Sequence, residues 1–308
     1  MNDTDLAITR DSLYGTIEEP TYSGITSFMR RRYSRDLNGV DVAVSGVPYD
    51  LATTNRSGAR LGPRGIRAAS SIIAWGEAVS GWNFDPFDEL AVIDFGDCAF
   101  DPGRPEQVPD AIYQHAKNIL AQDSAMLTLG GDHFISYPLV KAHAEKHGPI
   151  SLIHFDAHSD TWEDKDGRID HGTMFYHAAK EGIVDAGHSV QVGMRTFNPA
   201  THVYHVFDAE WVHEHGSRAT TDAIRAIVGE RPCYLTFDID CLDPSFAPGT
   251  GTPVIGGLST HQARQILRGL TGINLVGMDL VEVAPAYDVS EITALAGASL
   301  ALDMLCLY

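Results

Sequence analysis

The sequence predicts a single α/β domain, a parallel sheet with helices packed on both faces. Three observations carry this expectation. Short apolar, β-rich runs alternate along the chain with amphipathic stretches of helical period. Several of those runs are apolar on both faces, as strands buried inside a parallel sheet must be. No linker, repeat or low-complexity tract divides the 308 residues, a length that one α/β domain commonly fills.

In chain order, the first apolar run, 42–47, is expected as a strand and is followed by a helical pattern over 64–73. A strand at 90–95 leads to a helix at 106–121, and a strand at 125–129 leads to a helix at 136–147. Strands at 150–155, 190–194 and 202–207 precede the next helical pattern, at 219–228. The last alternations place a strand at 232–237, a helix at 260–270 and a strand at 273–278. A final helix at 290–307 is so apolar along one side that it should dock against the sheet. Residues 1–40 carry no clear motif and are expected to form an N-terminal arm for subunit or lid contacts, ahead of a catalytic domain at 41–308.

Composition bounds the function. With 41 acidic and 22 basic side chains the formal charge is −19, which argues against a nucleic-acid partner, because phosphate contacts need clustered Lys and Arg. The balance is compatible with a cationic ligand. At 44% hydrophobic and 20% charged residues, the chain can bury a large core. Cys98, Cys233, Cys241 and Cys306 form no C-x-x-C pair and fit no zinc or disulfide framework. The opening MNDTDLAITRD does not read as a signal peptide, and no apolar run reaches the roughly 18 residues of a bilayer span. A cytoplasmic protein without a membrane partner is expected.

Ligands in such a sheet bind beyond the carboxyl ends of the strands, and three apolar runs end in acid and imidazole. The run 125–129 leads into Gly130-Gly131-Asp132-His133. The run 150–155 leads into Asp156-Ala157-His158-Ser159-Asp160, and 232–237 into Asp238-Ile239-Asp240. Side chains spaced i, i+2 fall on one side of an extended segment, so Asp156 with His158, and Asp238 with Asp240, should reach one pocket. Crowded carboxylates raise one another's pKa unless a cation compensates, and a pair of divalent metals is the simplest such cation. Oxygen donors with a minority of nitrogen and no cysteine favour Mn²⁺ over zinc. Bridging carboxylates hold two such ions about 3.5–4 Å apart, with a shared water ionised near neutral pH. Each motif alone has a plainer reading, as a turn cap, a magnesium–phosphate site or a tight βα turn. Their convergence on one edge of one sheet carries the case. A D-x-D transferase is disfavoured, since no P-loop or G-x-G-x-x-G follows a strand.

These stretches resemble the arginase–agmatinase (ureohydrolase) family and look most like its bacterial agmatinase branch. H-G-T-M-F at 171–175, Y-L-T-F-D-I-D-C-L-D-P-S-F-A-P-G-T-G-T-P-V-I-G-G at 234–257 and V-G-M-D-L-V-E-V-A-P-A-Y-D at 276–288 resemble it too. The likeness runs from about Asp41 to the C-terminus. It implies a three-layer α/β/α fold around a mostly parallel eight-stranded sheet, two Mn²⁺ per subunit, and a homotrimer or homohexamer. It further implies one manganese on His133, Asp156, Asp160 and Asp238, and the other on Asp156, His158, Asp238 and Asp240. Glu282 matches the family's guanidinium-gripping carboxylate, whose two oxygens suit a bidentate fork. His171 matches its loop histidine near the leaving amine, where an imidazole can pass protons near pH 7. A metal-bridging hydroxide, hydrogen-bonded by Asp160, would attack the guanidinium carbon and release urea.

The guanidine itself is read from departures. The arginase branch holds its amino-acid end with an Asn where this chain has Trp162, which disfavours arginine. The following loop has Glu163, Asp164, Asp166 and Asp170 against Lys165 and Arg168. A negative rim favours the ammonium of agmatine over the carboxylate of 4-guanidinobutyrate, and the likeness to agmatinases along the chain, which weighs more, implies hydrolysis of agmatine to urea and putrescine, a step of polyamine biosynthesis. Arg56 and Arg60 point the other way if they face the pocket, toward a guanidinobutyrase or another guanidino-acid amidinohydrolase; their plainer reading is structural ion pairs or subunit contacts. A catalytically silent metal-binding relative is expected to have lost ligands, and all six stand here.

Overall fold

The computed structural model describes residues 4–75, 81–164 and 166–308. Its strands are β1 (Val42–Val47), β2 (Val92–Asp97), β3 (Ala125–Gly130), β4 (Ser151–Phe155), β5 (Val190–Val192), β6 (His205–Phe207), β7 (Cys233–Asp238) and β8 (Leu275–Val281). They form one eight-stranded sheet in the order β2-β1-β3-β8-β7-β4-β5-β6, and all the strand pairings are parallel. Every expected strand is present, with ends displaced by a few residues. β6 starts late because His202 and Val203 adopt positive φ, 47° and 76°, which no strand accommodates.

Among the described residues, the helices of seven residues or more are α1 (Gly62–Ser70), α2 (Val108–Leu120), α3 (Ser136–His147), α4 (Met174–Lys180), α5 (Ala209–Val228), α6 (Thr260–Gly269) and α7 (Ile292–Leu305). α5 begins at Ala209 rather than 219. Its first turns start where the Asp208 carboxylate accepts the Trp211 N–H at 2.7 Å, and Gly216, at φ 79°, interrupts the helical backbone. The pleat sorts the apolar side chains into two layers. Val42, Val44, Leu127, Leu129, Phe155 and Phe237 pack with α1, α5, α6 and α7; Ala43, Met126, Leu152 and Tyr234 pack with α2, α3 and α4. The final helix, α7, lies against α1, α6 and β8. Its one buried carboxylate, Asp303, is bound by Arg264 Nε at 2.5 Å and Trp82 Nε1 at 2.7 Å.

The N-terminal segment is fastened to this body. Phe28 and Met29 enter the α1 layer, the Phe28 N–H donates to Asp94 at 2.7 Å, and the Met29 N–H donates to Ser70 at 2.8 Å. Asp94 is in turn held by both Nε and Nη2 of Arg67, at 2.8 and 3.0 Å, a buried bidentate pair that ties α1 to β2. The strand order places β3, β8, β7 and β4 side by side at the centre. Their carboxyl ends therefore meet on one edge although they lie far apart in sequence.

Candidate active site

The way each of these four strands ends aims the side chains that follow it. After β3 the chain passes so close to the β1 loop that a Cβ on Gly131 would stand 2.2 Å from Tyr49 O and 2.6 Å from Val47 O. Only glycine fits, through close approach rather than an unusual φ. The next residues turn inward, and His133 opens a 3₁₀ turn into α3. After β4 the Asp156 Oδ1 accepts the His158 N–H at 2.6 Å. After β7 the Asp238 Oδ1 accepts the Asp240 N–H at 2.8 Å. Both i, i+2 pairs are thus turns closed by the first aspartate, not the extended segments expected, and they converge all the same. Asp160 and Glu282 sit at φ 51° and 63°, a strained region for residues with a side chain, of the kind found at functional sites.

The convergence is close. His133 Nδ1 lies 2.9 Å from Asp156 Oδ2 and 3.1 Å from both Asp160 Oδ2 and Asp238 Oδ2. His158 Nδ1 lies 3.3 Å from Asp156 Oδ1 and 3.2 Å from Asp240 Oδ2. All six residues expected as ligands are therefore together, in two groups that share Asp156, one oxygen to each. Asp238 belongs to the first group through Oδ2 and spends Oδ1 on its own turn. Burial, then repulsion from Asp156, pushes the Asp160 carboxyl up to about 7. Burial and the Asp240 and Asp156 charges raise Asp238 as well.

This donor set fits a pair of divalent metals. His133 Nδ1 is buried and has no aligned hydrogen-bond partner, although three carboxylate oxygens surround it. Donors at right angles about 2.1 Å from one cation stand about 3 Å apart, which is the spacing observed. Carboxylate oxygen with imidazole nitrogen, and no sulfur, suits a hard or borderline ion.

Three partners of the cluster escaped the sequence reading. His154, inside β4, lies within reach of the first group, but both its nitrogens are used. Nε2 donates to Asp156 Oδ2 at 2.8 Å and Nδ1 accepts from Gln191 Nε2 at 3.2 Å. Burial holds its pKa down at about 4, so it is a neutral ring that orients Asp156. Thr236 and Asp279, in β7 and β8, stand behind His133. The available signal was a polar residue inside a strand buried on both faces, which must find a partner there.

Glu282 and His171 meet directly, Nδ1 to Oε1 at 3.0 Å. The same Oε1 accepts the His133 N–H at 2.9 Å, while Oε2 is buried without a partner. The expected two-oxygen grip is therefore reduced to one open oxygen. A Cβ on Gly251 would come within 3.6 Å of that oxygen. On its far side, His171 Nε2 receives the Thr54 N–H at 2.8 Å, with the Thr54 hydroxyl also at 2.8 Å. Burial would depress this imidazole, but the Glu282 carboxylate outweighs it and pushes the pKa up to about 9. The Thr54 amide works against that rise, because an N–H aimed at Nε2 requires a lone pair there.

A cavity of about 180 Å³ opens onto the cluster, lined by Thr54, His158, Asp160, Trp162, His171, Gly172, Asp238 and Thr252. Trp162 stands at its mouth, its backbone N–H donating to Gly172 O at 3.0 Å, and also borders an outer depression with Glu163, Asp164, Asp166, Arg168 and Thr173. Part of the acidic rim is consumed internally: Asp170 accepts from Arg168 at 2.6 Å and from the Gly172 N–H at 3.0 Å. Lys165 lies outside the described residues. Arg60 is bound to Asp50 at 2.5 Å and Arg56 rests over the Tyr287 ring at 5.0 Å. Neither lines the cavity, and among the described residues its lining holds no Lys or Arg.

A parallel sheet ending in this carboxylate–imidazole cluster defines a class, and comparison agrees with it: the model of the arginase family matches residues 40–306, and the chain belongs to that family. It is 58% identical to the agmatinase of Chromobacterium violaceum over 98% of this chain and 94% of that one. Among solved structures it is similar to a hypothetical agmatinase from Burkholderia thailandensis, at a TM-score of 0.97 and 63% identity, covering 99% and 97% of the two chains. Proclavaminate amidino hydrolase from Streptomyces clavuligerus follows at a TM-score of 0.90 and 37% identity, covering 94% and 99%.

Proposed function

We propose that this protein is a dimanganese agmatinase, hydrolysing agmatine to urea and putrescine. The observation that carries the substrate choice is the cavity lining, which includes Asp160 and Asp238 of the carboxylate cluster and, among the described residues, no Lys or Arg for a carboxylate-ended guanidine. The similarity to agmatinases over nearly the whole chain supports the same reading.

In this reading His133, Asp156, Asp160 and Asp238 hold one ion, and Asp156, His158, Asp238 and Asp240 the other. When bound, the pair lowers the pKa of a water and offsets charge developing on the substrate. Glu282 Oε2 accepts a guanidinium N–H and so turns the guanidinium carbon toward the cluster. Asp160 is the carboxylate that hydrogen-bonds the attacking oxygen. His171 passes the proton to the departing amine at Nε2, where it must exchange its hydrogen bond from the Thr54 N–H for one to the Thr54 hydroxyl. Trp162 covers the methylene arm and keeps water from the mouth. Agmatine dication and water become urea and putrescine dication, so charge balances.

We take residues 1–40 as an N-terminal arm and 41–308 as the catalytic domain of a cytoplasmic homotrimer or homohexamer. No helix among the described residues is long and apolar enough to cross a membrane. The test is urea release by Mn²⁺-loaded protein with agmatine, arginine and 4-guanidinobutyrate side by side. Agmatine should lead in kcat/KM by tenfold or more, about 1.4 kcal/mol of transition-state binding. A lead for 4-guanidinobutyrate would overturn the substrate, and no urea from any of them would overturn the reaction.

A further inference from the structure

We propose that Asp279 is a positioning residue for the metal-facing imidazole: acting through Thr236, it fixes His133 as the tautomer with its proton on Nε2 and its Nδ1 lone pair toward the carboxylates. The inference rests on the metal centre of the reading above.

Asp279 sits in the middle of β8, fully buried, in register with Thr236 of β7 and Thr128 of β3. Carboxylates are rarely buried unless paired, and no cationic side chain reaches this one among the described residues. Three hydroxyls do. Thr236 Oγ1 donates to Oδ1 at 2.5 Å, while Ser136 Oγ and Tyr234 OH donate to Oδ2 at 2.7 and 2.9 Å.

A count of protons then fixes the next link. A hydroxyl has one proton to give, and that of Thr236 goes to the carboxylate in the shorter, charge-assisted bond. Its oxygen also lies 2.8 Å from His133 Nε2, where it can only accept. Nε2 therefore carries a ring proton, which leaves Nδ1 as the nitrogen available to a cation. Nδ1 is the nitrogen turned to the carboxylates, within 3.1 Å of three of their oxygens, where its lone pair would meet a cation. A carboxylate–hydroxyl–imidazole line of this kind orients a ligating ring and raises its basicity. It explains why a strand otherwise packed with apolar side chains carries an acid at its centre.

Asp279→Asn keeps the shape but lets an amide N–H face Thr236. The hydroxyl proton is then released toward His133 Nε2, and the ring proton moves to Nδ1. Metal-stripped full-length protein titrated with Mn²⁺ should bind two equivalents. In Asp279→Asn one of them should weaken by about 10- to 100-fold, while the equivalent built on His158 and Asp240 is retained. Thr236→Val should reproduce the loss and Thr236→Ser should restore it. In metal-free protein, at a pH high enough for the ring to be neutral, the ¹⁵N shifts of His133 should report a protonated Nε2 in the wild-type protein and a protonated Nδ1 in Asp279→Asn. Unchanged affinity for both equivalents in Asp279→Asn, or a wild-type His133 protonated on Nδ1, would overturn the proposal. If the wild-type protein failed to bind two equivalents, the metal reading would fall and the ¹⁵N shifts would still decide the relay. If Asp279→Asn did not fold, the Thr236 pair and the wild-type shifts would decide it.

Discussion

Replacing Glu282 with glutamine removes a charge and almost no volume, so it isolates what the carboxylate does. The side chain is 1% exposed, and Oε1 already takes the His133 N–H and the His171 Nδ1–H. Only Oε2 remains for a guanidinium. One charge-assisted hydrogen bond is at stake, about 1.5–3 kcal/mol, which corresponds to a fall in kcat/KM of roughly 10- to 150-fold. The two donors at Oε1 will orient the amide with its oxygen toward them. The NH₂ group is then left facing a cation, and the loss should fall in the upper half of that range. The assay is urea release at sub-saturating agmatine, with Mn²⁺ content matched to wild type because Glu282 also steadies the His133 backbone. A loss under about threefold would mean that Glu282 does not touch the guanidinium. A loss near 10⁴-fold, the value of about two such bonds, would mean that both oxygens engage it and that the apo hydrogen bonds give way on binding.

Other expectations follow from single contacts. Gly131→Ala places a Cβ against two carbonyl oxygens and should destabilise the protein by about 3 kcal/mol, read by urea denaturation. His115 and His143 are held by burial at about 4, below the ordinary 6.5, so the unfolded chain takes up protons that the folded one refuses. The contribution of this pair to stability should therefore be intact above pH 6.5 and fall toward pH 4, with a slope approaching 2.7 kcal/mol per pH unit, about 1.4 for each. His143→Gln should flatten the curve. Chelation should lower the unfolding midpoint, since metal at about 100 times its Kd contributes about 2.7 kcal/mol; equal midpoints with and without metal would mean that no ion binds. Arg56→Ala should leave the ratio of kcat/KM for agmatine and 4-guanidinobutyrate within about threefold of wild type, because that arginine lies on Tyr287 and outside the cavity lining.

Much of this was legible before any coordinates. Most strands announced themselves because a strand inside a parallel sheet must be apolar on both faces, a demand that few other segments meet, although the edge strand β6 is largely exposed. The ligands were legible because three strands delivered acid and imidazole to one edge. What stayed hidden depends on registers that one sequence does not contain. Asp279 and Thr236 look like isolated polar faults in apolar runs until β7 and β8 are laid side by side. The single open oxygen of Glu282 follows from a backbone N–H 149 positions away in sequence. Helix α5 was read only from 219 because Gly216 breaks its period, and α4 was missed where H-G-T-M-F drew attention as a motif. The aspartate-closed turns at Asp156 and Asp238 mimic extension: both conformations bring i and i+2 together, so the right convergence was reached from the wrong backbone.

The strand order has a consequence for how the chain is made. β8 is the last strand in the sequence and lies between β3 and β7 in space. Until residues 275–281 leave the ribosome, the nascent protein holds two partial sheets, β1 to β3 and β4 to β7, each with a bare central edge. Such edges are open to wrong partners. Insertion of β8 closes both gaps in one event and brings with it Asp279 and Glu282. A chain that stops short of this strand carries all six proposed ligands along its length and still lacks Asp279 behind His133 and the Glu282 carboxylate. The backing of His133 and the Glu282 carboxylate thus arrive together, only when the sheet is whole.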